Sequence, residues 1–196
     1  DFGPWGEETK HAVLRADTLL GELMKGIEST RLPVNVIVVS DHGMYEIKLD
    51  VEHSIFIDEL LNRKDKSVRY SNGGTQLHLY LNQPEKKDSL YTALKINERN
   101  YNVYKKGEFP PHWKYEHDRV GDLLVEAKPG YYIRGGTREQ FLKNGHIGEK
   151  RGVHGYDPEV TTDVHGIFYA QGPNIKSGVT VAPFQNIHIY PLISKI

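Results

Sequence analysis

The sequence predicts an α/β fold, and two observations carry the prediction. Glu7 to Thr30 reads as one long helix, because Val13, Ala16, Leu20, Leu23 and Ile27 recur at helical spacing and Leu19 and Met24 widen the stripe. A strand from Val34 to Ser40 follows at once, its β-branched run Val36-Ile37-Val38-Val39 apolar throughout like a strand buried on both faces at the centre of a parallel sheet. Helix followed by parallel strand is the rhythm of this class. In open α/β sheets, ligands bind just beyond the carboxyl ends of the strands. Ser40-Asp41-His42-Gly43, where the run ends, therefore stands where a site is expected.

The other elements follow from local pattern. Asp1 to Gly6 is a turn. Glu7 and Glu8 suit the positive end of the first helix, and Pro33 lies just past its other end. Ser54 to Leu61 is a short apolar segment, partly helical, and Tyr70-Ser71-Asn72-Gly73-Gly74 is a turn cluster. Thr75 to Leu81 sets Gln76, His78 and Tyr80 against Leu77, Leu79 and Leu81, which is a half-buried strand with His78 facing away from the core. Glu85 to Glu98 is a second helix and Tyr101 to Lys105 a short strand. Phe109-Pro110-Pro111-His112-Trp113 is a loop stiffened by two prolines. Asp122 to Ala127 and Tyr131 to Arg134 are strands around a Pro129-Gly130 turn. Gly135 to Tyr156 is a long glycine-rich polar loop, of the kind that is functional or mobile. Val164 to Ala170 is a strand with His165 at its start. Phe184 to Ile196 is a closing helix that Pro191 kinks or restarts. With no repeat, low-complexity tract or composition break, 1–196 reads as a single domain.

Composition narrows the function classes. Charged residues are 26% and hydrophobic residues 38%, a globular balance. A formal net charge of −1 offers no single-sign field for a nucleic-acid polymer or an anionic membrane surface. No apolar run approaches the ~20 residues of a membrane span. Cysteine is absent, so disulfides and thiolate metal sites are excluded. The chain opens without an initiator Met or a basic leader, which suggests a trimmed or partial sequence.

Two stretches carry chemistry. Asp41 and His42 offer one hard oxygen and one borderline nitrogen, a pair that suits zinc, and Gly43 lets the chain turn away without a Cβ. A strand that simply ends in a polar turn fits the same residues. The second stretch is Gly152-Val153-His154-Gly155-Tyr156-Asp157, where glycines clear the space around an imidazole. A solvated loop histidine is the alternative there. Tyr131, Tyr132 and Tyr156 suit packing with a bonded hydroxyl better than stacking on a base.

Four stretches in order resemble the catalytic domain of the nucleotide pyrophosphatase/phosphodiesterase family (type I phosphodiesterases), within the alkaline phosphatase superfamily. They are Val38-Val39-Ser40-Asp41-His42-Gly43-Met44, Arg119-Val120-Gly121-Asp122 leading into Pro129-Gly130-Tyr131, Gly152-Val153-His154-Gly155-Tyr156-Asp157, and Ile167-Phe168-Tyr169-Ala170-Gln171-Gly172-Pro173. The first and third are the most specific. The resemblance implies a central, mostly parallel sheet flanked by helices and a site holding two Zn2+ ions. Asp41 and His42 would ligate one zinc and His154 the other, and a metal-bound threonine would attack a phosphodiester or nucleotide substrate. Two metals roughly 4 Å apart suit an in-line displacement at phosphorus. Metal-binding imidazoles must be neutral, so activity should fall in acid. An extracytoplasmic location is implied, and with no cysteine and no Asn-x-Ser/Thr site a bacterial periplasmic source is favoured.

The chain also departs from the family pattern. There, an Asp-x-x-Gly-His motif precedes a Gly-Pro by two residues, whereas here only Asp1-Phe2 precedes Gly3-Pro4. Asp1 thus aligns just after the missing histidine, and the spacing excludes it as a ligand. The nucleophilic threonine would lie further upstream still. The expectation is therefore a C-terminal portion of the catalytic domain, incomplete on its N-terminal side and inactive alone, whose partner is the missing half. Two other readings stand beside it: another superfamily hydrolase (phosphomonoesterase, sulfatase or phosphonate hydrolase), or a non-catalytic fragment that binds metal weakly.

Overall fold

The computed structural model describes residues 2–143 and 146–196. Asp1 lies outside the described residues, as do positions 144 and 145 of the glycine-rich segment. In chain order the regular elements are α1 (Glu7–Ser29), β1 (Val36–Val39), β2 (Tyr45–Lys48), β3 (Ser54–Phe56), α2 (Ile57–Leu60), β4 (Val68–Asn72), β5 (Gln76–Leu81), α3 (Lys87–Ile96), β6 (Tyr101–Lys105), β7 (Leu123–Ala127), β8 (Tyr132–Arg134), α4 (Arg138–Lys143), β9 (Lys150–Val153), β10 (Phe168–Gln171) and α5 (Ile189–Ile193). They fall into two compact units: residues 44–164 with the few up to Pro4, and Trp5–Gly43 with His165–Ile196.

The first unit holds the buried core. Its main sheet is antiparallel, in the order β4-β5-β7-β6. β5 alternates, so Leu77 and Leu79 are fully buried while His78 is half-buried. β7, Leu-Leu-Val-Glu-Ala, is buried along its whole length because it is the inner strand between β5 and β6. Register places Leu77 opposite Val125, and Leu79 opposite Leu123. Each such side chain contributes about 1.5–3 kcal/mol through burial. α3 closes over this sheet through Leu94, whose carbonyl accepts the Tyr101 hydroxyl at 2.9 Å.

Gly121 and Asp122, part of the second resembling stretch, have a structural role here. A Cβ at Gly121 would stand 2.7 Å from the Leu79 carbonyl oxygen, so only glycine lets the loop lie on β5. Asp122 then accepts the Leu81 N–H at 2.8 Å and pins the end of that strand. Two smaller pairs complete the unit: β3 parallel to β8, and β2 antiparallel to β9.

The second unit contains α1, β1, β10 and α5. α1 runs as the spacing predicts and ends where Arg31 takes a left-handed φ of 59°, two residues before Pro33. It has no buried residue, and Val13, Leu19 and Leu23 of its apolar stripe are exposed.

Several expectations are corrected. β1 is not the doubly buried centre of a parallel sheet: it pairs only with β10, antiparallel, and none of its residues is buried. Among the described residues one strand pair is parallel and the others are antiparallel. A run of β-branched residues signals apolar contact on both sides but not which strand supplies the ladder. Residues 135–156 are not one loop, since α4 and β9 lie within them. β9 escapes pattern reading because Lys-Arg-Gly-Val alternates only weakly and its partner β2 is remote in sequence. The expected turn cluster at 70–74 is strand β4 as far as Asn72, with the turn confined to Gly73 and Gly74. The closing helix is short, a 3-10 turn at Asn186–His188 followed by α5. His165 lies before β10, not within it.

Candidate metal ligands and the loop that carries His154

In the second unit, β1 delivers its polar end through Ser40. The Ile167 N–H donates to Ser40 Oγ at 2.9 Å and the Ser40 N–H to the Ile167 carbonyl at 3.2 Å. Gly166 packs on the same point, where a Cβ would stand 2.7 Å from the Ser40 carbonyl. Beyond this clasp the chain turns through Asp41, whose Oδ1 accepts the His42 N–H at 3.0 Å. His42 Nδ1 lies 2.7 Å from the Gly43 carbonyl, which can only accept, so Nδ1 carries a proton and in the neutral ring Nε2 holds the lone pair. A backbone partner of this kind fixes the tautomer in metal-binding histidines. His42 Nε2 and Asp41 Oδ2 are 3.5 Å apart. Ligand atoms of a tetrahedral zinc, about 2.0–2.2 Å from the metal, lie about 3.3–3.6 Å from each other. The pair therefore fits two corners of such a site.

His154 belongs to the first unit and follows β9. Its carbonyl accepts the Thr75 hydroxyl at 3.1 Å. Gly155, at φ 98°, leaves room for that hydroxyl, which would lie 2.5 Å from a Cβ. Tyr156 is buried, its ring edge-on to Tyr45 and its hydroxyl donating to the Tyr131 carbonyl at 2.6 Å. Burial raises its phenol above the ordinary range. Tyr156 and Tyr131 thus pack, as their setting suggests.

Asp157 closes the loop. Its carboxylate accepts the Trp113 indole N–H at 2.9 Å, His112 Nε2 at 2.9 Å and the Glu159 backbone N–H at 2.8 Å. Burial alone would push this carboxyl up, but the three donors outweigh it and hold it below the usual carboxylate range. Pro110 and Pro111 set the 3-10 turn that presents His112 and Trp113 together. Glu126 lies nearby in β7, only 4% exposed, with Asn102 at 3.2 Å and Tyr104 at 3.3 Å donating to one oxygen. Burial raises its carboxyl, and burial beside Glu126 pushes the Tyr104 phenol up to about 12.

The structure thus brings Asp41 and His42 together, and it ties the His154 loop down at His154, Tyr156 and Asp157. Among the described residues no group of three or more His, Asp or Glu forms a metal cluster. Sequence reasoning missed the Asp157–His112–Trp113 junction. The signal was present in two places, the doubled proline before His112 and the aspartate closing the His154 stretch, but nothing local joins positions 45 residues apart.

Comparison with solved structures fixes the class first. Human ectonucleotide pyrophosphatase/phosphodiesterase 5 superposes with a TM-score of 0.81 at 24% identity, over 99% of this chain and 49% of that one. An inactive variant of the murine protein, in complex with AMP, gives 0.81 at 29% identity, over 100% of this chain and 49% of that one. The fold is accordingly the α/β fold of the alkaline phosphatase kind. A sequence model described as type I phosphodiesterase/nucleotide pyrophosphatase matches residues 1–157, a span containing Asp41, His42 and His154. The chain belongs to the type I phosphodiesterase/nucleotide pyrophosphatase family. Among curated relatives, ectonucleotide pyrophosphatase/phosphodiesterase family member 7 of Rattus norvegicus is 28% identical over 204 residues, covering 100% of this chain and 43% of that protein. Human family member 5 is 29% identical over 180 residues, covering 90% of this chain and 35% of that protein. The chain therefore spans less than half the length of these relatives. No helix among the described residues is long and apolar enough to cross a membrane.

Proposed function

We propose that this chain supplies one part of a two-zinc phosphodiesterase centre that hydrolyses phosphodiester or pyrophosphate bonds of small molecules. Asp41 and His42 hold one zinc and His154 the other. The remaining ligands and the nucleophile come from sequence outside these 196 residues. The observation that carries this reading is the paired geometry at the end of β1: a fixed His42 tautomer with Nε2 set 3.5 Å from Asp41 Oδ2, within the span matched by the family model. The bound metals would supply charge stabilisation for both the attacking and the leaving oxygen. The protein's own part is to orient. Gly43 fixes the His42 ring, Ser40 fixes the turn, and Thr75 and Asp157 hold the backbone of the His154 loop.

Two further findings support the reading. The matched relatives are more than twice as long as this chain. The apolar stripe of α1, exposed here, is the surface that the rest of a catalytic domain would bury. A nucleotide is the favoured ligand class, since AMP occupies the murine relative named above. The names of the relatives carry the prefix ecto, which fits an extracytoplasmic location.

The test is a zinc titration of the 15N-labelled chain, followed through its imidazole resonances. The expected result is that His42 and His154 shift, and that Asp41→Ala removes the His42 response while leaving that of His154. Zinc that moves other histidines and leaves these two unmoved overturns the assignment. Turnover of bis(4-nitrophenyl) phosphate by the chain alone, above buffer, overturns the placement of the nucleophile elsewhere.

A further inference from the structure

A cavity of about 540 Å3 opens at the end of β8, lined by Asn72, Tyr132, Arg134, Gln140 and Phe141 among others. The lining belongs to the first unit throughout. Its size falls in the range of small-molecule sites. The guanidinium of Arg134 is held in one place on three sides. Its Nε donates to Ser54 Oγ at 2.8 Å. Its central carbon lies over two rings, 4.7 Å from the Phe141 centroid and 5.1 Å from the Tyr132 centroid. The Tyr132 ring lies where it does because Gly74 has no side chain, as a Cβ there would stand 2.1 Å from the ring.

Among the described residues the two Nη groups of Arg134, four N–H donors, make no hydrogen bond, and Arg134 lines the cavity. Other arginines of this unit are paired with carboxylates: Arg138 with Glu59 at 3.0 Å, Arg151 with Glu149 at 3.0 Å, and Arg63 with Asp58 at 3.2 Å. Arg134 is more buried than Arg138 or Arg63, yet it ion-pairs with no carboxylate among the described residues. Burial and the neighbouring Arg151 disfavour its charge more than Asp50, beyond ion-pair distance, supports it, which is the condition an incoming anion relieves. Gln140 stands on the same lining. Its Oε1 accepts the Thr137 N–H at 3.0 Å, which leaves the amide NH2 as a second donor.

We infer that this cavity binds the oxyanion of a small organic molecule, a phosphate or a carboxylate, gripped in bidentate fashion by the Nη edge of Arg134 between Tyr132 and Phe141. The clamped plane is what bidentate recognition needs, because little rotamer freedom is lost on binding. The cavity is larger than a bare ion, so the ligand carries a polar organic body towards Asn72 and Gln140. None of the residues lining this cavity is Asp41, His42 or His154.

The test follows the Arg134 Nε–H resonance of the 15N-labelled chain at pH 7 after metal removal on a chelating resin, so that no metal-held phosphate contributes. Sodium phosphate and sodium acetate are titrated separately against sodium chloride at matched ionic strength. The expected result is a saturable shift with phosphate, acetate or both. Saturation with phosphate alone names the phosphate group as the ligand's handle, and saturation with acetate alone names the carboxylate. In Arg134→Lys, whose response is read from the Ile133 and Gly135 amides, affinity should fall about tenfold or more, since a point charge replaces the fork. Ser54→Ala keeps the guanidinium and frees its Nε, and should weaken binding by less. Shifts that grow linearly like those of chloride, or saturation undiminished in Arg134→Lys, overturn the inference.

Discussion

Asp157 and Glu126 are two carboxyl groups in one corner of the first unit, and their surroundings drive them in opposite directions. Asp157 is depressed by three donors, so its folded value lies below its unfolded one. Its contribution to stability is complete above the ordinary carboxylate value and disappears as pH falls through the lower folded value. Asp157→Asn should therefore destabilise the chain at pH 7 by about 1.5–3 kcal/mol, the range for hydrogen bonds to a charged group. It should also flatten the acid limb of a denaturant-midpoint profile, and an unchanged limb would remove Asp157 as its cause. Glu126 is raised by burial, so the sign reverses. Its contribution is complete below the ordinary value and is lost as pH rises through the higher folded value. Glu126→Gln can still accept from Asn102 and Tyr104, and it should raise the melting temperature at pH 7–8 while leaving it unchanged near pH 4. A variant that melts lower at both pH values would show that the ionised form is the one the site favours. His78 is a third case: it sits on the outward side of β5 as its alternation predicts, but it is half-buried beside Tyr115, and burial lowers its value.

At the scale of elements, glycines at close approaches decide more than helix or strand propensity does. Gly121 lets its loop contact β5, and Gly74, at φ 86°, makes room for the Tyr132 ring. Gly121→Ala must displace backbone on Leu79, and should unfold at lower denaturant than Gly107→Ala, which meets nothing within 4 Å though its φ of 86° carries its own strain. Equal losses in the two variants would argue that contact with β5 is unimportant. Leu79→Ala, at a fully buried position of β5, should cost about 2–5 kcal/mol in urea unfolding. These positions were legible as a strand and a turn. What they touch was not, because β5 meets residue 121 only after some forty intervening residues have folded.

Over the whole chain, order should be uneven. The buried hydrophobic residues all lie between Ile47 and Val164, whereas α1 and α5 contain none. Native-state hydrogen exchange should therefore be slowest in β5 and β7 and much faster in α1, despite the length of that helix. Protection of α1 equal to that of β7 would show that its apolar stripe is covered in solution. By itself the sequence determined the α/β class, the first helix to within a residue of its end, the alternation of β5, and the stretches around Asp41, His42 and His154 that carry family membership. Each of these is a local pattern, set by side-chain spacing or by a short run of particular residues. Only the tertiary structure decided which strands pair, that β1 stands with β10 and not inside a parallel sheet, that β9 exists, and that His112 and Trp113 close on Asp157. The physical reason is that hydrogen-bond ladders and buried polar contacts join residues far apart in the chain, and their partners are chosen by packing, which local spacing does not encode.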